Sequence, residues 1–161
     1  MDYSQTYIDL MIDSLKEKMN ILDELLTLSK KQGECIRGKQ ADTPAYDELY
    51  QKKDQLIQAL LDLDAGFEKM FQRVKEELDQ NREAYKDHII LMQNLIRQLT
   101  DKSVSLQAVE LRNKDAMEQY LKGERETIRQ FHNNSRASDL YYQNMPNRTQ
   151  QIPSFFYDEK K

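Results

Sequence analysis

One motif in the sequence has the spacing of a phosphate-binding loop. Residues 33–39 read Gly-Glu-Cys-Ile-Arg-Gly-Lys and fit the G-x-x-x-x-G-K pattern, whose backbone amides and lysine cradle nucleotide phosphates. That chemistry also needs a preceding strand, and a Ser or Thr directly after the lysine to hold Mg²⁺. Here a helical pattern precedes the motif and Gln40 follows it. We therefore interpret residues 33–39 as the basic end of a helix.

Few residues are candidates for metal binding or for nucleophilic catalysis. A carboxylate metal centre in a helical bundle needs Glu-x-x-His pairs, but Tyr85 and Arg129 stand three residues before His88 and His132. The single cysteine, Cys35, cannot complete a zinc site with two histidines, and no nearby histidine would activate it as a nucleophile. The sequence therefore predicts no metal site, no cofactor and no catalytic residues, and we expect Cys35 to pack. The chain is not expected to be an enzyme.

Composition favours long helices over other architectures. The 161 residues allow one domain of ordinary size, and 39% hydrophobic against 32% charged residues suits helices with one buried stripe. With 4 Gly, 3 Pro and no Trp, the chain lacks the turn residues of an all-β fold. A net charge of -4 provides no positive field for phosphates, so nucleic acid is not an expected partner.

The sequence also indicates where the protein works. Charged or amide side chains interrupt every apolar run well before the ~18 residues that would span a bilayer. The first residues lack the basic start and apolar stretch of a signal peptide, and a lone cysteine suits a reducing compartment. We therefore expect a cytoplasmic protein without membrane insertion.

Three amphipathic runs carry apolar residues at spacings of three and four. The spacing predicts an all-α fold, an elongated antiparallel bundle of about three long helices, with a C-terminal tail. The predicted helices span residues 5–35, 44–79 and 84–131. Whether a true turn near residues 79–82 separates the second helix from the third is left open by the sequence.

Capping residues indicate where these helices begin and end. Ser4 or Thr6 could cap the first helix, and its end carries Gly33 and Gly38, as a left-handed C-terminal cap would require. The second helix has Asp42 or Thr43 as N-cap candidates and Pro44 in its first turn. Gly66 is the weakest interior point of that helix, by about 1 kcal/mol relative to Ala.

The second half of the third helix is less apolar than the first. Beyond Thr100 the apolar residues become sparse, and charged and amide side chains crowd between them. We interpret this stretch as a groove that an amphipathic helix of another chain completes, with Leu106, Val109, Met117 and Leu121 as its lining. Several of the 7 methionines lie on helical stripes, and methionine adapts to varied partners. Gap filling in a thin core is the alternative for each of them.

Residues 132–161 lack periodicity and contain two prolines, so we predict a flexible tail. Its aromatic residues suit a docking segment, because aromatics anchor contacts. The alternative is that they fold back onto the bundle. The aromatics are Tyr141, Tyr142, Phe155, Phe156 and Tyr157.

These features together resemble a known family. The leucine-rich segments 21–31 (ILDELLTLSKK) and 53–63 (KDQLIQALLDL), in a small acidic helical chain with an aromatic tail, resemble the flagellar type III export chaperones of the FlgN and FliT kind. The resemblance covers residues 5–131, and the tail ending in 155–161 (FFYDEKK) looks like that of a bacterial subgroup.

The resemblance implies a function and two sets of site residues. Such chaperones keep hook-filament junction (hook-associated) proteins, or the filament cap protein, from assembling before export, and bind their amphipathic C-terminal helices through the chaperone's last helix. Tyr141 or Tyr142 would be the counterpart of a tyrosine that contacts the flagellar export gate. The implied cargo-binding positions are Leu106, Val109, Met117, Tyr120 and Leu121.

In a second interpretation the protein associates with itself and binds no cargo. A coiled-coil structural or adaptor protein would cover the same sparse surface with its own copy and form a homodimer. Such a chain should hide the surface of its third helix when purified. An enzyme is the third and least favoured interpretation, because no set of residues converges on a catalytic site.

Overall fold

The computed structural model describes residues 3–38 and 40–122, and in these ranges every regular element is a helix. Helix α1 spans Ser4–Arg37, α2 spans Thr43–Gln80 and α3 spans Lys86–Leu121. The predicted all-α fold is confirmed, and each predicted start lies within two residues of the observed one. The predicted extension of the third helix to residue 131, and the tail 132–161 with Tyr141 and Tyr142, lie outside the described residues.

Helix α1 is the centre of the bundle, because it packs against both α2 and α3 over its length. The backbones of α2 and α3, by contrast, barely approach each other. Helix α2 runs antiparallel to α1, and α3 runs parallel to it. The contacts that establish these directions are Tyr7–Arg73 and Lys18–Asp64 for α2, and Gln5–His88 and Asp23–Lys102 for α3.

The main core is a continuous cluster of buried apolar side chains from all three helices. Positions seven residues apart recur in it, since two turns of a helix return a side chain to nearly the same face. Removing these groups from water is the principal stabilising contribution. The cluster comprises Ile8, Met11, Ile12, Leu15, Ile21, Leu22 and Leu25 of α1, Ile57, Leu60, Phe67, Phe71, Val74 and Leu78 of α2, and Met92, Ile96, Leu99 and Leu106 of α3.

The N-caps predicted for α1 and α2 had different outcomes. The Asp42 side chain accepts a hydrogen bond from the Ala45 amide at 3.0 Å, and Pro44 lies in the first turn, as predicted. Capping of α1 by Ser4 or Thr6 was wrong. Both residues lie inside the helix, and Tyr3, which precedes it, provides no side-chain cap.

A left-handed cap at the end of α1 was also wrong. Gly38 is extended (φ -74°, ψ 176°), and Gly33 lies within the helix. The chain leaves α1 by another route, in which the Asp42 amide donates to the Cys35 carbonyl at 2.9 Å and so satisfies one terminal acceptor. Gly33 lies close to α3, because a Cβ added there would be 2.6 Å from Asn113 Oδ1 and 2.8 Å from Arg37 Nη1, and these side chains would have to shift.

A true turn, residues 81–85, joins α2 to α3. Its first residue, Asn81, donates from both its backbone N–H and its side-chain amide to the Glu77 carbonyl, at 3.0 and 3.2 Å. A short polar side chain competes with the helical ladder in this way. The question that the sequence left open is thus answered: a true turn separates the two helices, and it begins at Asn81.

Candidate functional site

The cargo-binding positions predicted from the sequence lie mainly in the interior. Leu106 is 0% exposed, and Val109, Met117 and Leu121 are also buried, whereas Tyr120 is half-buried. Side chains of the same chain already cover the four buried positions, so the groove expected at Leu106, Val109, Met117 and Leu121 is not open. Whether these residues bind cargo remains a prediction, since contact with another chain would first require uncovering them.

The seven-residue spacing explains the burial of Leu106. It continues a line from Met92 and Leu99, both buried against the other two helices. The line of buried residues therefore continues beyond Thr100, although fewer of the residues around it are apolar.

Met117 and Leu121 belong to a separate, smaller group that we call the end cluster. Its buried members among the described residues are Ile36, Tyr46, Met117 and Leu121.

A different set of apolar residues on α3 is open to solvent. Ile90 is 43% exposed, Val104 is 54% exposed and Leu111 is 59% exposed. Their separations of 14 and 7 residues place them on one face of the helix, which we call the outer stripe. Large apolar side chains lined up in this way are candidates for contact with another molecule.

The outer stripe faces away from the centre of the bundle. Two residues of an α-helix subtend about 200°, so residues two apart lie on nearly opposite sides. Val104 is two residues from Lys102, which bonds to α1, and Leu111 is two residues from Asn113, which also contacts α1. Because the α2 backbone barely approaches α3, no helix of the described chain packs along this face.

Charged residues border the stripe on the same side of α3. Exposed Arg97 and Glu118 continue its seven-residue spacing, and exposed Asp101 and Asp115 lie beside it. Exposed Ala108 lies between these two acids in the same row, so the centre of that row is uncharged. An apolar strip with a polar rim is the usual composition of a protein-binding surface. Because both positive and negative residues border the stripe, it favours a partner helix that carries charges of both signs.

A polar layer crosses the interior between the main core and the end cluster. Lys53 of α2 is 2% exposed, and its Nζ donates to Gln32 Oε1 of α1 at 2.6 Å and to Glu110 Oε1 of α3 at 2.5 Å. The Ser29 hydroxyl donates to the same carboxylate oxygen. One buried lysine thus links all three helices through charge-assisted hydrogen bonds.

Neutral hydrogen bonds complete this layer. Asn113 Nδ2 donates to the Ser29 carbonyl at 2.7 Å, and Gln32 Nε2 donates to the Tyr46 carbonyl at 3.2 Å. We call the five residues Ser29, Gln32, Lys53, Glu110 and Asn113 the polar layer. This arrangement favours one axial register of the three helices, because a slip of one helix would separate a buried charge from its partner.

The remaining candidate chemistry is limited. In residues 3–38 and 40–122 no group of three or more His, Cys, Asp or Glu side chains is arranged to hold a metal ion. Burial, followed by the nearby carboxylates of Asp42 and Glu34, raises the pKa of the Cys35 thiol, which disfavours the reactive thiolate. Within the same ranges no helix has the length and apolar character needed to cross a membrane.

Comparison with protein-family models, with curated proteins and with solved structures gave no match. Evidence for a function must therefore come from the chain's own residues.

The sequence analysis missed the outer stripe, although the sequence contains a signal for it. Its members stand two positions before the core line, Ile90 before Met92, Val104 before Leu106 and Leu111 before Asn113.

Proposed function

We propose that this protein is a cytoplasmic flagellar export chaperone. It binds the amphipathic C-terminal helices of hook-filament junction proteins, prevents their premature assembly and delivers them to the export gate. The observation that supports binding is the outer stripe, an apolar line on α3 along which no described helix packs. The flagellar assignment rests on the resemblance of residues 5–131 to the FlgN and FliT kind of chaperone.

The partner helix lies along α3 in this proposal. Its apolar face covers Val104 and Leu111, and charged residues farther along it meet Arg97 and Glu118 at the two ends of that pair. Burying one large aliphatic side chain is worth about 1.5–3 kcal/mol, so a few such contacts together can hold a helix reversibly. Release then needs only a competing partner, and the chaperone requires no ATP.

Val104 and Leu111 provide the direct test. We expect Val104→Glu or Leu111→Glu to abolish co-elution with the junction proteins of the same bacterium, with mass read by light scattering. Helicity by circular dichroism should stay unchanged, because both side chains are more than half exposed. Gln98→Glu is the matched control, since it adds the same charge at an exposed α3 position that lies at least about a third of a turn round the helix from both residues. Equal loss of the complex in all three variants would contradict docking on the stripe.

The same mass measurement tests the cargo-free alternative. A stable homodimer that forms no complex with junction proteins would identify a self-associating adaptor. The outer stripe would then be the dimer contact, and Leu111→Glu would give a monomer. A defined complex of full-length chain and junction protein supports the chaperone instead.

The gate contact is proposed separately and involves residues outside the described ranges. Replacing Tyr141 and Tyr142 together by Ala should leave junction-protein binding intact and weaken binding to the export gate. Equal loss of both interactions would contradict this division of roles.

A further inference from the structure

The outer stripe lies in a row of α3 that is complementary to its own reverse. At seven-residue intervals the row contains Arg97, Val104, Leu111 and Glu118, and all four side chains are exposed. Two apolar residues thus lie in the middle, with a positive charge at one end and a negative charge at the other. A second copy of α3, turned end to end, presents the same types of residue in the matching order.

One alignment of two such rows matches every position. When Val104 lies opposite Leu111 of the second copy, Arg97 lies opposite its Glu118, and each contact occurs twice because the pair is symmetric. A shift by seven residues in either direction would place a charged side chain against an apolar one. A parallel pair would set Arg97 against Arg97. Ile90 lies beyond the paired stretch.

The neighbouring row of α3 shapes the centre of this contact. Ala108 lies there between Asp101 and Asp115, and in the antiparallel pair it comes to nearly the same level as Ala108 of the second copy. Its small side chain lets the two backbones approach. The acids of the two copies repel each other, and this repulsion is offset by exposed Arg112, which lies on the same side of α3, within one turn of the level of Asp101 in the second copy.

From this complementarity we infer that a second copy of the chain binds the outer stripe, with the two α3 helices antiparallel. Arg97 keeps its surface hydrogen bond to Asn94 Oδ1 at 3.3 Å, because a guanidinium group has five donors. The interface is small, so the dimer forms at high concentration and dissociates on dilution. Self-association covers the surface that we propose for cargo, and a tighter-binding cargo helix displaces the second copy. Only this last consequence rests on the proposed function.

Two opposite charge reversals test the pairing. The average mass of the full-length chain, read by light scattering from micromolar to millimolar concentration, should rise from the 19.2 kDa of one copy towards twice that value. Arg97→Glu sets glutamates against each other at both ends of the contact, and Glu118→Arg does the same with arginines. Each change alone should abolish the rise, and the two together should restore it.

The two reversals control for each other. They change the net charge of the chain in opposite directions, so a general effect of charge would not remove the dimer in both. Both positions are exposed, and helicity by circular dichroism should stay unchanged. A rise in mass that neither single change affects, or that the double variant fails to recover, would overturn the inference.

Crosslinking determines the direction of the pair. In chain carrying Cys35→Ala, Ala108→Cys places two thiols near the centre of the contact, and a short bifunctional maleimide should link the two copies. Asn94→Cys is the matched control, because it is exposed in the same row. In the antiparallel pair its two thiols lie about 40 Å apart along α3 and should not be linked. Equal linkage at both positions would indicate a parallel pair, and would overturn the inference.

Junction protein is absent from all of these measurements, so their outcome is independent of the proposed function. A natural chain that keeps the mass of one copy at millimolar concentration, yet binds junction protein, would refute only the self-pairing. A chain that dimerises as described and never binds junction protein would refute only the chaperone.

Discussion

Lys53 of α2 and Glu110 of α3 form an ion pair of 2.5 Å inside the bundle, where their side chains are 2% and 16% exposed. The pair bridges two helices whose backbones barely approach each other. A lysine stem is long enough to span that gap, whereas a shorter apolar side chain would leave it unfilled. Gln32 of α1 accepts a second hydrogen bond from the same ammonium group, so Lys53 links all three helices at one level.

Removing one member of this pair should destabilise the fold strongly. Lys53→Met leaves the Glu110 carboxylate in the interior without its cation, and we expect the free energy of unfolding to fall by about 3 kcal/mol. Urea denaturation followed by circular dichroism measures the change. The long unbranched methionine keeps most of the packing volume, so the loss reports the charge rather than a cavity.

The double variant Lys53→Met with Glu110→Leu is the control. With both charges removed, most of the lost stability should return, because an apolar pair avoids the cost of desolvating ions. If the double variant is as unstable as Lys53→Met alone, the lysine acts through packing or other bonds and the ion pair is unimportant.

The periodicity of three and four was sufficient to predict the helices and most of their boundaries. Asp42 and Pro44 fixed the start of α2 locally, as residues next to a helix end do. The orientation of the faces was harder to predict. Val104 and Leu106 are both apolar and two residues apart, and the one that is buried is Leu106, which continues the seven-residue spacing of Met92 and Leu99. The sequence-based interpretation chose the buried line and missed the outer stripe.

The polar layer could have been predicted in part. Lys53 shares a seven-residue spacing with buried Tyr46, Leu60, Phe67 and Val74, so a charged residue occupied a core position in the pattern. Its partner could not be identified in the same way. Glu110 is one of many acidic residues on α3, and its pairing depends on the relative height of two helices, which no local pattern encodes.

Gly33 and Gly66, which both lie inside helices, should respond oppositely to replacement by alanine. Gly66→Ala should raise the free energy of unfolding by about 0.5–1 kcal/mol, because alanine favours the helix and nothing lies within 4 Å of the added Cβ. Gly33→Ala should lower it. The same methyl group would lie 2.6 Å from Asn113 Oδ1, whose side chain is held by Ser29.

Thermal unfolding of both variants beside the natural chain measures this difference in sign. Asn113→Ala in the Gly33→Ala background is the second step, since it removes the obstructing oxygen. Part of the lost stability should then return. A stabilising Gly33→Ala would show that the Asn113 and Arg37 side chains move aside without cost.

Two neighbouring apolar positions on α3 should differ in what they contribute to folding. Leu106→Ala should cost about 3 kcal/mol, because a fully buried leucine leaves a cavity. Val104→Ala should change stability by less than about 0.5 kcal/mol, since the side chain is 54% exposed. Chemical denaturation of both variants measures this. Similar losses would mean that another part of the chain covers Val104.

Cys35 should react more slowly near neutral pH than an ordinary exposed thiol. Burial first, then the negative charges of Asp42 and Glu34, raise the pKa of its thiol, so a smaller fraction is thiolate at a given pH. The rate of alkylation by iodoacetamide should therefore rise with pH through a midpoint above that of free cysteine. Glu34→Gln should move this midpoint down by removing one negative charge, whereas Glu24→Gln, at an exposed position three turns away on α1, should leave it unchanged. A midpoint at or below that of free cysteine in the natural chain would show that neither burial nor the carboxylates act on this thiol.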